Sequence, residues 1–237
     1  MVFPFLLWDW FKMSKTIIVT GASRGIGNEV VKIAEKKGHK VYSISRNIKA
    51  LKESSFFYPR EVDLVDENSI DKFCSEIKNK GLQVDALINN AGAFLNKPFE
   101  KISRKEFEYI FQVNVFGLSS LTRKVLPSMH RKGHVVNISS MGGINGSTKF
   151  SGLAAYSSSK GAVNIITELL AEEYKDNGPS FNALAFGAVQ TKMLEEAFPG
   201  LKAPISAKEI ADFVLDFALM GQKYFNGKIL PVSSSTP

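Results

Sequence analysis

Thr20-Gly21-Ala22-Ser23-Arg24-Gly25-Ile26-Gly27 joins an apolar run at 17–20 to a helix-period segment at 26–37. Gly21 permits the tight turn off the strand, Gly25 lets the backbone approach a pyrophosphate, and Gly27 lets the helix pack close to the strand. The helix N-terminus then offers free N–H groups and a partial positive charge to an anion. Ser23, Arg24 and Ile26 complete the loop and are counted with the three glycines as dinucleotide contacts. Outward from this loop, apolar runs at 17–20, 41–45, 57–63, 84–89, 134–139, 181–185 and 228–232 alternate with helix-period segments at 26–37, 67–79, 103–127, 153–176 and 207–220. The runs are continuously apolar, the pattern of parallel strands buried on both faces. Strand–helix alternation predicts right-handed crossovers and a doubly wound α/β fold of Rossmann type, with a seven-stranded parallel sheet flanked by helices. No linker, repeat or low-complexity tract divides the chain. The expectation is a single domain over 13–237, preceded by a short apolar extension at 1–12, with Met13 as a possible true start.

The second run ends Ile44-Ser45-Arg46. An NAD site usually places a carboxylate there for the ribose 2′-hydroxyl. Here Ser45 stands in its place, Arg46 follows, and Arg24 lies in the glycine loop. Two guanidinium groups suit a 2′-phosphate, which they can grip bidentately. The expected cofactor is therefore NADP.

Composition narrows the classes. The 237 residues are 44% hydrophobic and 22% charged, which excludes a disordered chain, a collagen-like fibre and a coiled coil. The net charge of +7 suits an anionic ligand, nucleic acid or acidic surface. The basic residues are spread along helices and match no nucleic-acid motif, so no nucleic-acid partner is expected. The single cysteine, Cys74, excludes an intramolecular disulfide, and it lies at a helical core spacing with Ile70, Phe73 and Ile77. A reducing, cytoplasmic setting follows, with no membrane segment. His39, His130 and His134 show no ligand spacing, so no metal is expected.

Five motifs now stand in order: Thr20-Gly-x-x-x-Gly-x-Gly27, Asn89-Asn-Ala-Gly92, Asn114, Ser140 and Tyr156-x-x-x-Lys160. Together, over about 15–232, they resemble the short-chain dehydrogenase/reductase family. Tyr156 and Lys160 share a helix face at i and i+4. A tyrosine phenol titrates near pH 10, and a nearby ammonium lowers that value. The resemblance implies that Tyr156 is the general acid/base, that Lys160 also binds the nicotinamide ribose, and that Ser140 donates to the substrate oxygen. It implies that Asn114 holds a water in a proton relay, and that Asn90, Ala91 and Gly92 leave room for the adenosine ribose. Asp63 would accept from the adenine amino group with Leu64 beside the ring. Gly187, Val189 and Thr191 match the family segment that contacts the nicotinamide. Asn89 would stabilise the central sheet, and Ser139 competes with Ser140 for the site.

The chain also departs from the family pattern. Phe186 replaces the usual Pro and could reach toward the substrate. The lid between Thr191 and Ala207 is short, and Phe150 and Leu153 could line one wall. The usual Asp-Gly-Gly tail is absent, which bears on tetramer assembly, while the helices at 103–127 and 153–176 could still form a homodimer. The function expected is an NADP(H)-dependent carbonyl reductase or alcohol dehydrogenase acting on a small carbonyl or alcohol substrate, as a homodimer or homotetramer. The alternative is an NADP-binding sensor of the same fold with little turnover.

Overall fold

A computed structural model describes residues 14–49 and 51–233. The apolar extension at 1–12 and Met13 lie outside the described residues.

The chain alternates strand and helix in the expected order. The strands of the main sheet are β1 (Thr16–Thr20), β2 (Lys40–Ser45), β3 (Phe57–Glu61), β4 (Val84–Asn89), β5 (Met129–Ser140), β6 (Ser180–Phe186) and, last in the chain, β9 (Lys228–Val232). They form one parallel seven-stranded sheet in the order β3-β2-β1-β4-β5-β6-β9. The order reverses between β1 and β4, the point where a doubly wound sheet opens a crevice at its carboxyl edge. The helices are α1 (Gly25–Lys36), α2 (Glu67–Asn79), α3 (Arg104–Phe111), α4 (Leu118–Val125), α5 (Ala154–Glu173), α6 (Lys192–Ala197) and α7 (Ala207–Met220).

Alternate side chains of the strands build two cores, because a strand turns successive residues to opposite faces. Ile17 and Val19 of β1 join Val30, Val31 and Ala34 of α1 and Ile210, Val214 and Leu215 of α7 on one face. Ile18 joins Ile70, Phe73 and Ile77 of α2 and Leu121 and Val125 of α4 on the other. Cys74 packs at the edge of this second core, and burial pushes its thiol up to about 11, so it is a poor nucleophile.

Four features differ from expectation. The segment at 103–127 is not one helix. A π-helical turn, Gln112–Gly117, separates α3 from α4, and a 3₁₀ turn, Leu126–Ser128, ends it. β5 starts five residues early, and its pairing with β4 slips between Val84 and Ala86. The short lid, for which no element was expected, holds α6, and a two-stranded parallel pair, β7 (Val189–Gln190) with β8 (Ile205–Ser206), pins its two ends. Phe186 does not reach toward the substrate. It pairs with Val232, is buried, and packs in the first core with Val189 and the α7 face, where its large apolar area is removed from water.

Candidate active site

The glycine loop is built for close approach. Gly21 has φ +66°, and a Cβ on it would stand 2.8 Å from the Ala91 Cα. A Cβ on Gly27 would lie 2.5 Å from Asn90 Nδ2 and 2.6 Å from the Gly21 carbonyl oxygen. The reason is a latch: Asn90 Nδ2 donates to the Thr20 and Gly21 carbonyls at 2.9 and 3.2 Å, and the Ala91 N–H donates to Thr20 Oγ1 at 2.9 Å. The loop after β4 is thus tied to the loop after β1. Around Gly25 (φ +61°) the space is open, with only Thr191 Cγ2 nearby at 3.8 Å. Arg24 is the N-cap of α1 but makes no side-chain cap, and the first turn carries no acid. The first N–H groups of α1 are therefore uncapped by side chains, as an anion-binding helix N-terminus requires. This cradle fits a dinucleotide pyrophosphate.

At the ribose end, the Ser45 hydroxyl donates to the Asn47 carbonyl at 3.3 Å. Arg46 is exposed and donates to the Tyr109 hydroxyl at 2.9 Å, while Arg24 is exposed and pairs with Glu196 of α6 at 3.5 Å. Asp63 is partly buried, and its Oδ1 accepts from the Val65 N–H at 3.0 Å. Leu64 is buried against Gly117 of the π turn.

The catalytic candidates converge from β5, the π turn and α5. Ser139 and Ser140 point opposite ways. Ser139 is buried and donates to Asn164 Oδ1 at 2.6 Å, so its hydroxyl is spent on α5. Ser140 Oγ accepts from the Gly142 N–H at 3.3 Å, and its hydroxyl faces the Tyr156 phenol and favours its charged form. One turn along α5, Lys160 is buried at 4% exposure, donates to the Ile138 carbonyl at 2.7 Å, and places Nζ 5.8 Å from the Tyr156 ring centre. Burial lowers the Lys160 pKa to about 8. Burial also raises the Tyr156 phenol, opposed by the Ser140 hydrogen bond. The expected lowering of Tyr156 by Lys160 is therefore not what this arrangement yields. The same low-polarity surroundings penalise both charged forms, and the ammonium is turned to a carbonyl.

Asn114 is fully buried in the π turn. Its Nδ2 donates to the Ala93 carbonyl at 3.0 Å and to Ser159 Oγ at 2.9 Å, and its Oδ1 accepts from the Ala93 N–H at 2.7 Å. Ser159 in turn donates to the Tyr156 carbonyl at 2.7 Å. Both donors of the Asn114 amide are taken by protein, so its side chain is a brace between the β4 loop and α5 and does not itself donate to a relay water. Asn89 likewise braces, donating to Thr122 Oγ1 and Asn137 Oδ1 across the buried sheet. Gly92 lies between Asn114 and Lys160, whose Oδ1 and Nζ would be 3.5 and 3.7 Å from a Cβ.

Beyond β6, Gly187 packs on the last strand, donating its N–H to the Val232 carbonyl at 3.1 Å. The Val189 side chain is buried in the core, and its backbone pairs with Ile205 of β8. Thr191 Oγ1 caps α6 by accepting from the Leu194 N–H at 3.2 Å. Residues not singled out from sequence also meet here. Phe94 stacks at a tilt on Tyr156, with ring centres 4.8 Å apart, and Phe198 lies against Phe94 at 6.2 Å. Only Ser159 carried a sequence signal, its i+3 position from Tyr156. Among the described residues no group of three or more His, Cys, Asp or Glu is placed to hold a metal, and no helix is long and apolar enough to cross a membrane.

Comparison with known proteins agrees with this geometry. The family model described as short chain dehydrogenase matches residues 15–202. An uncharacterized oxidoreductase of Staphylococcus saprophyticus is 30% identical, over 90% of this chain and 94% of its own. The 3-oxoacyl-(acyl-carrier-protein) reductase FabG of Aquifex aeolicus is 30% identical, over 92% of this chain and 96% of its own. Among solved structures, the ligand-free aldohexose dehydrogenase of Thermoplasma acidophilum superposes with a TM-score of 0.83 at 26% identity, covering 94% of this chain and 93% of its own. With its glycine cradle, its Ser140–Tyr156–Lys160 cluster and these matches along most of its length, the chain belongs to the short-chain dehydrogenase family and is an oxidoreductase of that family.

Proposed function

We propose that the protein is an NADP(H)-dependent carbonyl reductase or alcohol dehydrogenase with Tyr156 as its acid/base. The observation that carries this is the Tyr156–Ser140 hydroxyl pair at the carboxyl end of β5, with Lys160 one helical turn away. The bound dinucleotide would supply or accept the hydride. Tyr156, held protonated by its surroundings, gives its proton to the substrate oxygen as hydride reaches the carbon, and takes it back in the reverse direction. Ser140, whose hydroxyl favours the Tyr156 phenolate, would turn that same donor to the substrate oxygen and stabilise its developing charge. Lys160, one helical turn from Tyr156, suits the nicotinamide ribose hydroxyls. For the adenosine ribose, the absent carboxylate at Ser45 and the guanidinium groups of Arg24 and Arg46 favour a 2′-phosphate. Assembly as a homodimer or homotetramer is part of this proposal, through the surface that leaves Phe116, Ile165 and Leu169 exposed.

The test follows NADPH oxidation against a broad carbonyl panel with Tyr156→Phe alongside. Loss of the proton donor is expected to lower turnover about a hundred- to ten-thousand-fold while NADPH still binds. NADPH binding with no turnover of any panel member would instead favour a dinucleotide sensor.

A further inference from the structure

Three phenylalanines from three separate loops line the approach to Tyr156. Phe94 follows β4, Phe150 precedes α5, and Phe198 follows α6 in the lid. Phe94 lies on the Tyr156 ring at 4.8 Å, Phe198 meets Phe94 edge-on at 6.2 Å, and Phe150 meets Phe198 edge-on at 6.4 Å. Edge-to-face contacts of this kind hold rings at defined angles. The row is anchored at its inner end. Asn114 grips both backbone groups of Ala93, next to Phe94, and the Lys97 N–H donates to the Gly152 carbonyl at 2.9 Å, tying the Phe94 loop to the Phe150 loop. At its outer end the row is open, and Phe150 keeps 51% of its surface exposed.

Beside the row, Lys97 is held by Glu106 at 2.8 Å, and Lys149 donates to the Ile144 carbonyl and to Ser147 Oγ. A phosphorylated or carboxylated substrate needs a cation turned toward it, and a sugar needs hydrogen-bond partners in the wall. This wall offers ring faces and edges.

We infer that Phe94, Phe150 and Phe198 form an apolar substrate subsite and that the carbonyl substrate carries an aromatic ring beside the reacting carbon, as in an aryl ketone. This rests on the proposed role of Tyr156, whose hydroxyl fixes where the carbonyl oxygen lies. In the reaction, NADPH is oxidised, its hydride forms the new C–H bond at the carbonyl carbon, the C=O π bond opens, and the Tyr156 proton completes an aryl alcohol.

The experiment compares acetophenone with hydroxyacetone as NADPH-dependent substrates of the wild type, Phe150→Ala, Phe198→Ala and Tyr156→Phe. In parallel, saturation-transfer NMR reads binding of 1-phenylethanol against 1,2-propanediol. The wild type is expected to prefer acetophenone. The acetophenone-to-hydroxyacetone ratio of kcat/KM is expected to fall by about tenfold in each Phe variant, the scale of a lost apolar contact in a specificity pocket. Transfer to the ring protons of 1-phenylethanol is expected in the wild type and in Tyr156→Phe, and is expected to weaken in the Phe variants. An unchanged ratio, or ring-proton transfer equal in wild type and Phe variants, overturns the subsite. Phe150→Ala removes an exposed side chain, so its folding is not at risk. If the wild type turns over neither ketone, the NMR contrast alone decides the subsite. If Tyr156→Phe stays active while the Phe variants lose their aryl preference, the acid/base role fails and the subsite stands.

Discussion

At the scale of single residues, the proposed preference for NADP rests on two exposed arginines. Neither is locked in place: Arg46 leans on the Tyr109 hydroxyl, and Arg24 holds a long ion pair to Glu196. Exposed pairs of that kind are worth little, so both guanidinium groups can turn to an incoming dianion at small cost. Arg46→Asp is expected to lower the NADPH-over-NADH ratio of kcat/KM about ten- to a hundred-fold, the scale of one charge-assisted hydrogen bond. Steady-state kinetics with both cofactors measures it, and a ratio that does not move would remove Arg46 from the ribose site. The proposed roles of both arginines and of Ser45 were read from their offsets to the glycine loop. Tyr109 was not, because a helix 63 residues away in sequence delivers it.

The element that matters most is the π turn Gln112–Gly117. An ordinary helix would run through these residues, and apolar periodicity reads straight across them. The extra residue in the turn places Asn114 against Ala93 and Ser159, and Gly117 against Leu64. A Cβ on Gly117 would stand 2.4 Å from the Leu64 carbonyl oxygen, a backbone atom that cannot swing away. Gly117→Ala is therefore expected to destabilise the protein by about 1–3 kcal/mol through overpacking. A loss of NADPH affinity alongside would tie the displaced Leu64 to the adenine site that the family resemblance implies. Urea unfolding and a fluorescence titration with NADPH check the two halves separately. An unaltered midpoint would show that the turn relaxes freely. The odd presence of an Asn inside a predicted helix was the one sequence signal for this element.

Across the whole molecule, the pH response has an identifiable source far from the active site. His134 is fully buried in β5, with Nδ1 3.2 Å from the Ala218 carbonyl of α7 and Nε2 2.8 Å from Asn182 Nδ2 of β6. Asn182 also donates to the Phe225 carbonyl, and its Oδ1 accepts from the Lys228 N–H, so its amide cannot flip. Nε2 must therefore accept, the ring must be neutral, and burial lowers its pKa to about 4. In the unfolded chain His134 titrates near 6.5, so between pH 6.5 and 4 the unfolded state binds more protons. Stability is expected to fall by about 3 kcal/mol as pH drops through that window. Urea midpoints at pH 7 and 4.5 should show the loss in the wild type and a flatter dependence in His134→Gln. Glu76 and Glu106, held near 2 by Arg60 and Lys97, add their own loss only at lower pH. Equal pH dependence in the two proteins would place the sensitivity elsewhere.

What the sequence determined by itself is local or periodic. Parallel strands buried on both faces must be continuously apolar, and a phosphate turn must carry glycine where a Cβ would collide. Tyr156 and Lys160 share a face because a helix repeats every 3.6 residues. The sheet, its order of elements and the dinucleotide loop follow from such rules. What only the tertiary structure decided depends on groups distant in the chain. Phe186 is core and not substrate wall because β9 and α7 cover it. Asn114 is a brace because Ala93 and Ser159 claim its amide. The Tyr156 phenol is pushed up because burial there opposes the Ser140 contact. Phe94, Phe150 and Phe198 meet because three loops end on one edge of the sheet. Contacts of this kind have no period and no fixed spacing, so the one-dimensional pattern does not encode them where it can be read.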